Sequence, residues 1–485
     1  MKTAVIACLA VLLSAITMQA ADRQVAVSGS DANPAATTSG SVPTTRPGLS
    51  FVRREGPSLL LDGKPVRFSG VNIYWLCQDR VGGKIVYPTR FRIDDALDTA
   101  REMGENVVSV ETFAESTGNP LSLEPALGQF NEDAFEVRDY VLKAAADRGM
   151  RLIIPLVDNW YYSQGGKHHY TDWRGLTDPR KELPSGDLHA RAFYTDPQVI
   201  KDFRAFVAHV LNHVNRYTSL AYKDDPAILC WETGDELEYC PGEWTQQIAA
   251  FIKHIDPRHL VMDGKAIGDG FEYYPWNKLG AVDIESPHYH TDLLEPALKI
   301  FAQQKKVTII GEFKWNGDLD LAAYLKRIED DPRISGDLYW DLMPHADDHG
   351  FVQHDDNLTL HYPGDTPDMR ARVALLRAHA YRMRGKSPPA PAACAAPLIT
   401  SIARRDGAAV IAWRGVAGGD KYGIERSVNG PSGPWVVLAD RTLSDNDAPW
   451  IDATTPRDAS ALYRVRAYNL ADVPGAYSQP ATLQK

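Results

Sequence analysis

Short, mainly apolar runs alternate with amphipathic segments from Phe51 to Lys386. The runs start at Val66, Asn106, Leu152, Ala227, Leu260, Val282, Val307 and Asp337, giving eight candidate strands. Between them, Ile93–Gly104 and Phe135–Gly149 have helical periodicity and end in a glycine that stops a helix. Val199–Tyr217 shows the same period. Strands that are apolar on both faces are buried on both faces, and strands joined by helices run parallel. Eight such units in one domain predict an α/β fold, a (β/α)8 TIM barrel.

The flanks differ in character. Residues 1–20 carry Lys2 and then a 13-residue apolar run, Ala4 to Ile16. That run is too short for a membrane span, which needs about 20 residues, and it reads as a secretory signal. Residues 21–50 are rich in Ser, Thr, Ala, Gly and Pro and predict a disordered leader. Residues 387–396, SPPAPAACAA, predict an extended linker. In 397–485 short alternating runs recur at Ala409–Trp413, Lys421–Arg426, Trp435–Leu438 and Leu462–Ala467. Turn residues separate them, which predicts a small all-β sandwich. This segment resembles a fibronectin type III module, with Trp413, Tyr422 and Tyr463 at core positions. The reading is of a secreted or periplasmic protein without a membrane span.

Charge narrows the partners. With 52 Lys+Arg against 63 Asp+Glu, the chain lacks the basic surplus that phosphate backbones require, so nucleic acid is excluded. An uncharged polysaccharide or oligosaccharide remains open as partner. No cysteine pair has zinc-ligand spacing, and neither metal nor cofactor is expected. A disulfide between Cys77 and Cys240 is compatible with an oxidising compartment.

In such barrels the chemistry sits at the C-terminal ends of the strands. The first strand ends in Asn72, Tyr74 and Trp75, the third in Asp158, Asn159 and Trp160, and the fourth in Trp231 to Glu236. The sixth ends in Ser286 to His290, the seventh in Glu312, and the eighth in Trp340 and Asp341. Two carboxylates at one rim suit glycoside hydrolysis, in which one protonates the leaving oxygen and the other attacks carbon or activates water. Flat indoles around them suit sugar faces.

The segments LVDNW (156–160), FYTDP (193–197), AYKDDPAILCWETGDE (221–236) and IIGEF (309–313) keep the order and spacing of a known family. They resemble glycoside hydrolase family 5, most of all its endo-β-mannanase branch. The resemblance implies a retaining β-glycosidase acting on β-mannan or a related polysaccharide by double displacement. It implies Glu236 as acid/base and Glu312 as nucleophile. It also implies His288, Trp340, Asn159 and Trp160 as substrate-contacting residues, with Trp75 joining them at the rim. Three positions depart from the family: Asp235 replaces an asparagine, Ser109 an arginine and His290 a tyrosine. These substitutions leave two alternatives open: a β-glycosidase of other sugar specificity, endo- or exo-acting, or a non-catalytic carbohydrate-binding barrel, against which stands the presence of both carboxylates. Lys314 is a candidate substitute for the missing arginine.

Other groups compete for a role. His168 and His169 read equally as a substrate-gripping loop or a polar surface loop. His345, His349 and His354 read as a polar active-site loop rather than a metal site. Glu232 reads as a buried strand carboxylate, and Asp263 as a residue lining the cleft.

Overall fold

The computed structural model describes residues 48–485, apart from 115, 161–165, 178–189, 267–273, 289–292, 354–357 and 458–459. The signal and most of the leader therefore lie outside the described residues, as do His290 and His354.

Eight parallel strands close into a barrel in sequential order. They are β1 (Phe68–Asn72), β2 (Val107–Ser109), β3 (Arg151–Pro155), β4 (Ile228–Glu232), β5 (Leu260–Asp263), β6 (Ile284–Glu285), β7 (Val307–Lys314) and β8 (Ile334–Trp340). All eight runs read from the sequence are strands. The last begins three residues early, and Val66 is not in the barrel. It ends a three-stranded antiparallel sheet spanning Arg53–Val66. Its Leu59 and nearby Val52 pack with Phe68, Val107, Ile153, Leu229 and Leu338 at the barrel's N-terminal end.

The main helices are α1 (Arg90–Met103), α2 (Glu132–Asp147), α3 (Pro197–Asn212), α4 (Gly242–Ile255), α5 (Leu294–Gln303), α6 (Leu321–Asp330) and α7 (Pro367–Met383). Their ends are chemically specified. Thr89, Asn131, Asp196 and Thr366 accept from first-turn amides, and Pro197 and Pro367 stand at N1. A buried chain, Ser69–Asp337–His379–Glu329, ties α7 to β1, β8 and α6.

Eight further strands form the C-terminal module: β9 (Leu398–Arg405), β10 (Ala408–Arg414), β11 (Lys421–Ser427), β12 (Val436–Leu443), β13 (Trp450–Asp452), β14 (Ala461–Tyr468), β15 (Pro474–Tyr477) and β16 (Ala481–Leu483). They make two antiparallel sheets around Trp413, Tyr422, Ile424 and Tyr463. Residues 387–396 do not hang free as a spacer. Asn469 Nδ2 donates to the Pro391 and Ala392 carbonyls, and Cys394 is buried with the module core.

The expected disulfide is absent. Among the described residues, Cys77, Cys230, Cys240 and Cys394 form no disulfide. Cys77 is held at its amide by Thr112 and at its carbonyl by Arg138, whereas Cys240 Sγ lies against the Thr245 hydroxyl, 3.4 Å away. Among the described residues, no helix is long and apolar enough to cross a membrane.

Candidate active site

A cavity of about 530 Å³ opens at the N-terminal end of the barrel. Arg67, Arg151, Arg384, Lys386, Asn106 and apolar side chains line it, with no carboxylate among the described residues. Proton transfer and nucleophilic chemistry require the opposite rim.

There, Glu312 enters from inside β7 and Glu236 from the turn beyond β4. Glu236 has φ +46°, a left-handed conformation costly for a residue with a Cβ. The turn is pinned on both sides, by the Asp235 amide to the Val157 carbonyl (2.7 Å) and the Leu237 amide to Gly264 (2.8 Å). Strain held by such bonds aims a functional side chain. One oxygen of Glu236, one of Glu312 and a ring nitrogen of His288 all lie within 4.8 Å of one another. His288 Nδ1 is 3.2 Å from Glu236 and 3.6 Å from Glu312. Trp160 Nε1 donates to the second Glu236 oxygen at 2.9 Å. Gly311 makes this approach possible, because a Cβ there would stand 2.5 Å from His288 Nε2.

Negative charge is crowded around this trio. Burial, then the carboxylates of Glu236, Asp235, Glu111 and Asp341, push Glu312 well above the usual carboxyl range. Burial, then Asp158 and Glu236, raise Asp235 in the same way. Burial pushes Glu111 up to about 7, although it accepts a bond from Ser109 Oγ at 3.1 Å. Burial pulls the His288 imidazole down, but its bond and attraction to Glu236 outweigh this and leave it above its ordinary value. Carboxyls this close and this dry cannot all ionise, so protons stay within the cluster near neutral pH.

The expected residues separate into groups. Glu236, Glu312, His288, Trp160 and Asp235 converge. Trp340 is half-buried and stacks on Tyr74, with centroids 5.2 Å apart and planes 12° apart. Trp75 is not at the rim: it is fully buried, and its Nε1 donates to the Leu342 carbonyl at 3.0 Å. The chain turns as a 3-10 helix over Tyr74–Leu76, so Tyr74 accompanies Trp340 and Trp75 faces inward. Asn159 is likewise fully buried. Its Oδ1 accepts from Lys167 Nζ (2.7 Å) and from the Glu238 amide (3.1 Å), which holds the Glu236 loop rather than a sugar. Lys314 is exposed at the end of β7, so His288 is the cationic neighbour of Glu312.

Glu111 was missed in the sequence. It follows Ser109 by two residues, just beyond the end of β2. His168 is buried in a short helix, Lys167–Trp173, and lines no open loop. His345 is also buried, between Asp95 and Asp445, and does not face the site. Glu232 and Asp263 are buried strand-end carboxylates, and burial pushes both up, Asp263 to about 6. Glu236, His288 and Glu312 have ligand atoms close enough to hold a cation, as do Glu232, Asp235 and His288. Both sets share His288, whose Nδ1 is already engaged by Glu236.

Residues 49–276 match the model of a glycoside hydrolase family 5 β-mannosidase-like domain. The chain is 32% identical over 274 residues to putative mannan endo-1,4-β-mannosidase 4 of Arabidopsis thaliana, covering 51% of this chain and 64% of that protein. It is 34% identical over 232 residues to mannan endo-1,4-β-mannosidase 2 of Oryza sativa subsp. japonica, covering 44% of this chain and 47% of that one. The chain thus spans between about half and two thirds of these curated relatives. Its fold is similar to that of the endo-1,4-β-mannanase of Rhizomucor miehei, with a TM-score of 0.57 at 23% identity over 70% of this chain and all of that one.

Proposed function

We propose that the chain is a β-mannan-hydrolysing glycosidase that acts with retention of configuration. The observation that carries this reading is the approach of Glu236 and Glu312 to within 4.8 Å, oxygen to oxygen, with His288 touching both. Retaining enzymes keep their carboxyl groups about 5–5.5 Å apart, whereas inverting ones leave about 6.5–9.5 Å for a water. The similarity to plant mannan endo-β-mannosidases supports β-mannan as the substrate.

In the proposed mechanism the sugar at the cleavage point rests on Trp340. Glu236 gives its proton to the glycosidic oxygen while Glu312 attacks the anomeric carbon. Departure of the first product admits water. Glu236, now ionised, takes a proton from that water, which attacks and releases Glu312. The resting site favours a proton on Glu312, because Trp160 and His288 both stabilise an ionised Glu236. The donor and nucleophile roles therefore require the proton to pass to Glu236 once substrate is bound, and His288 bridges that path. Export by the signal and a fibronectin-like identity for the module belong to the same proposal. The test is product analysis on β-1,4-mannan. Wild type should release manno-oligosaccharides and Glu312→Ala none, whereas undiminished release by Glu312→Ala would refute the assignment.

A further inference from the structure

We propose that the C-terminal module braces the active-site rim, with His345 as the positioning residue that locks the loop following Trp340 between the barrel and the module. This goes beyond the proposed hydrolase function, and its first test does not depend on the substrate.

The loop runs on from β8 and starts at Asp341. Its first turn is bound to the barrel: the Leu342 amide donates to the Asn72 carbonyl, and the Leu342 carbonyl accepts from Trp75 Nε1. Four residues after Asp341 comes His345, 1% exposed. Its backbone amide and its Nδ1 both lie 2.9 Å from Asp95 Oδ2 on α1. Its Nε2 lies 3.5 Å from Asp445 Oδ2, in the module. The imidazole thus faces a carboxylate of each domain at once.

The surroundings are built for this contact. Gly415, at the end of β10, has no room for a side chain: a Cβ would stand 2.2 Å from Asp445 Oδ1 and 2.3 Å from the His345 ring. The ring stacks on Phe351, which stacks on His361, both at 4.4 Å between centroids. His361 in turn pairs with Asp365 at 2.7 Å. Around the triad, the Arg414 guanidinium covers the Phe91 ring of α1 at 3.5 Å and faces Asp95 and Asp347. Thr400 donates to the Asp348 carbonyl at 2.7 Å, and Arg370 of α7 pairs with Asp420. Module residues from three segments, at Thr400, at Arg414–Gly415 and at Asp445, therefore grip one loop, and that loop follows the indole on which the sugar is proposed to rest.

Asp445→Asn and His345→Gln keep the shape and remove the charge. The measurement is amide hydrogen exchange of the full-length chain over peptides covering 341–353, with peptides from α4 as internal control. The brace predicts exchange at least tenfold faster across 341–353 in both variants and unchanged in α4. Exchange within twofold of wild type in that loop would overturn it. A second arm reads positioning. On a manno-oligosaccharide, Asp445→Asn should raise KM several-fold with kcat little changed, while Val465→Ala, which loosens the module core away from the seam, should leave KM as in wild type. If exchange quickens but KM does not move, the module holds the loop without positioning the site, and the positioning role is refuted. If wild type shows no turnover, the hydrolase reading fails while the exchange arm still decides the brace.

Discussion

Two of the buried histidines that stand between two carboxylates, His288 and His345, do opposite work. His288 lies 3.2 and 3.6 Å from Glu236 and Glu312, and His345 lies 2.9 and 3.5 Å from Asp95 and Asp445. The distances hardly differ. What differs is the balance of charge around them. Glu111 and Asp235 also press on His288 and its two partners, so the rim holds more acid than it can ionise. Around His345 the acids are matched by an imidazolium and by Arg414, and Gly415 closes the seam. Surplus acid is unstable alone and useful to a substrate; balanced acid is mortar.

The comparison breaks most sharply by exchanging roles. Removing the proposed acid/base with Glu236→Gln should lower kcat by roughly 10²–10⁴-fold on mannan, with melting temperature nearly unchanged, measured by initial rates and calorimetry. His288→Gln should cost roughly 10²-fold in kcat/KM, again at little cost in stability. His345→Gln should do the reverse, with its main loss in stability. The sign follows from its titration. Burial lowers this imidazole, but Asp95 and Asp445 raise it to about 10. A raised histidine contributes fully below its unfolded value near 6.5, and the contribution disappears as pH rises through about 10. Wild type should therefore exceed His345→Gln by about 2 kcal/mol at pH 6, and the gap should close by pH 10, followed by urea unfolding. A constant gap would mean that shape, not charge, holds the seam.

Smaller effects sharpen the rim. Trp160→Phe removes the donor to Glu236 and should cost about tenfold in kcat/KM. Glu111→Gln removes a charge that, above pH 7, helps keep Glu236 protonated. The alkaline limb of the rate profile should move down by about half a pH unit, and a shift upward would contradict the electrostatic account.

Much of this was legible in the sequence, and the limits have physical causes. Buried strands are mostly apolar on both faces, so even β6, two residues long, is legible in the run at Val282. Glu236 and Glu312 were found because strand ends are where polar residues interrupt such runs. Side-chain direction was not legible where the backbone leaves the strand. A 3-10 turn exchanged the positions of Tyr74 and Trp75, and a buried lysine eight residues away claimed Asn159. The hairpin ending at Val66 shares its alternation with any strand, so it was merged with β1. His345 drew notice for its acidic neighbours in sequence, but its partners come from Asp95 and Asp445, far along the chain in both directions. No local pattern records them.

The central claim is that Glu236 and Glu312 form a retaining pair. Proton NMR of the anomeric signal during the first turnovers on a β-manno-oligosaccharide tests it directly. The account predicts that the β-anomer appears first and mutarotates afterwards. An α-anomer as the first product would contradict it.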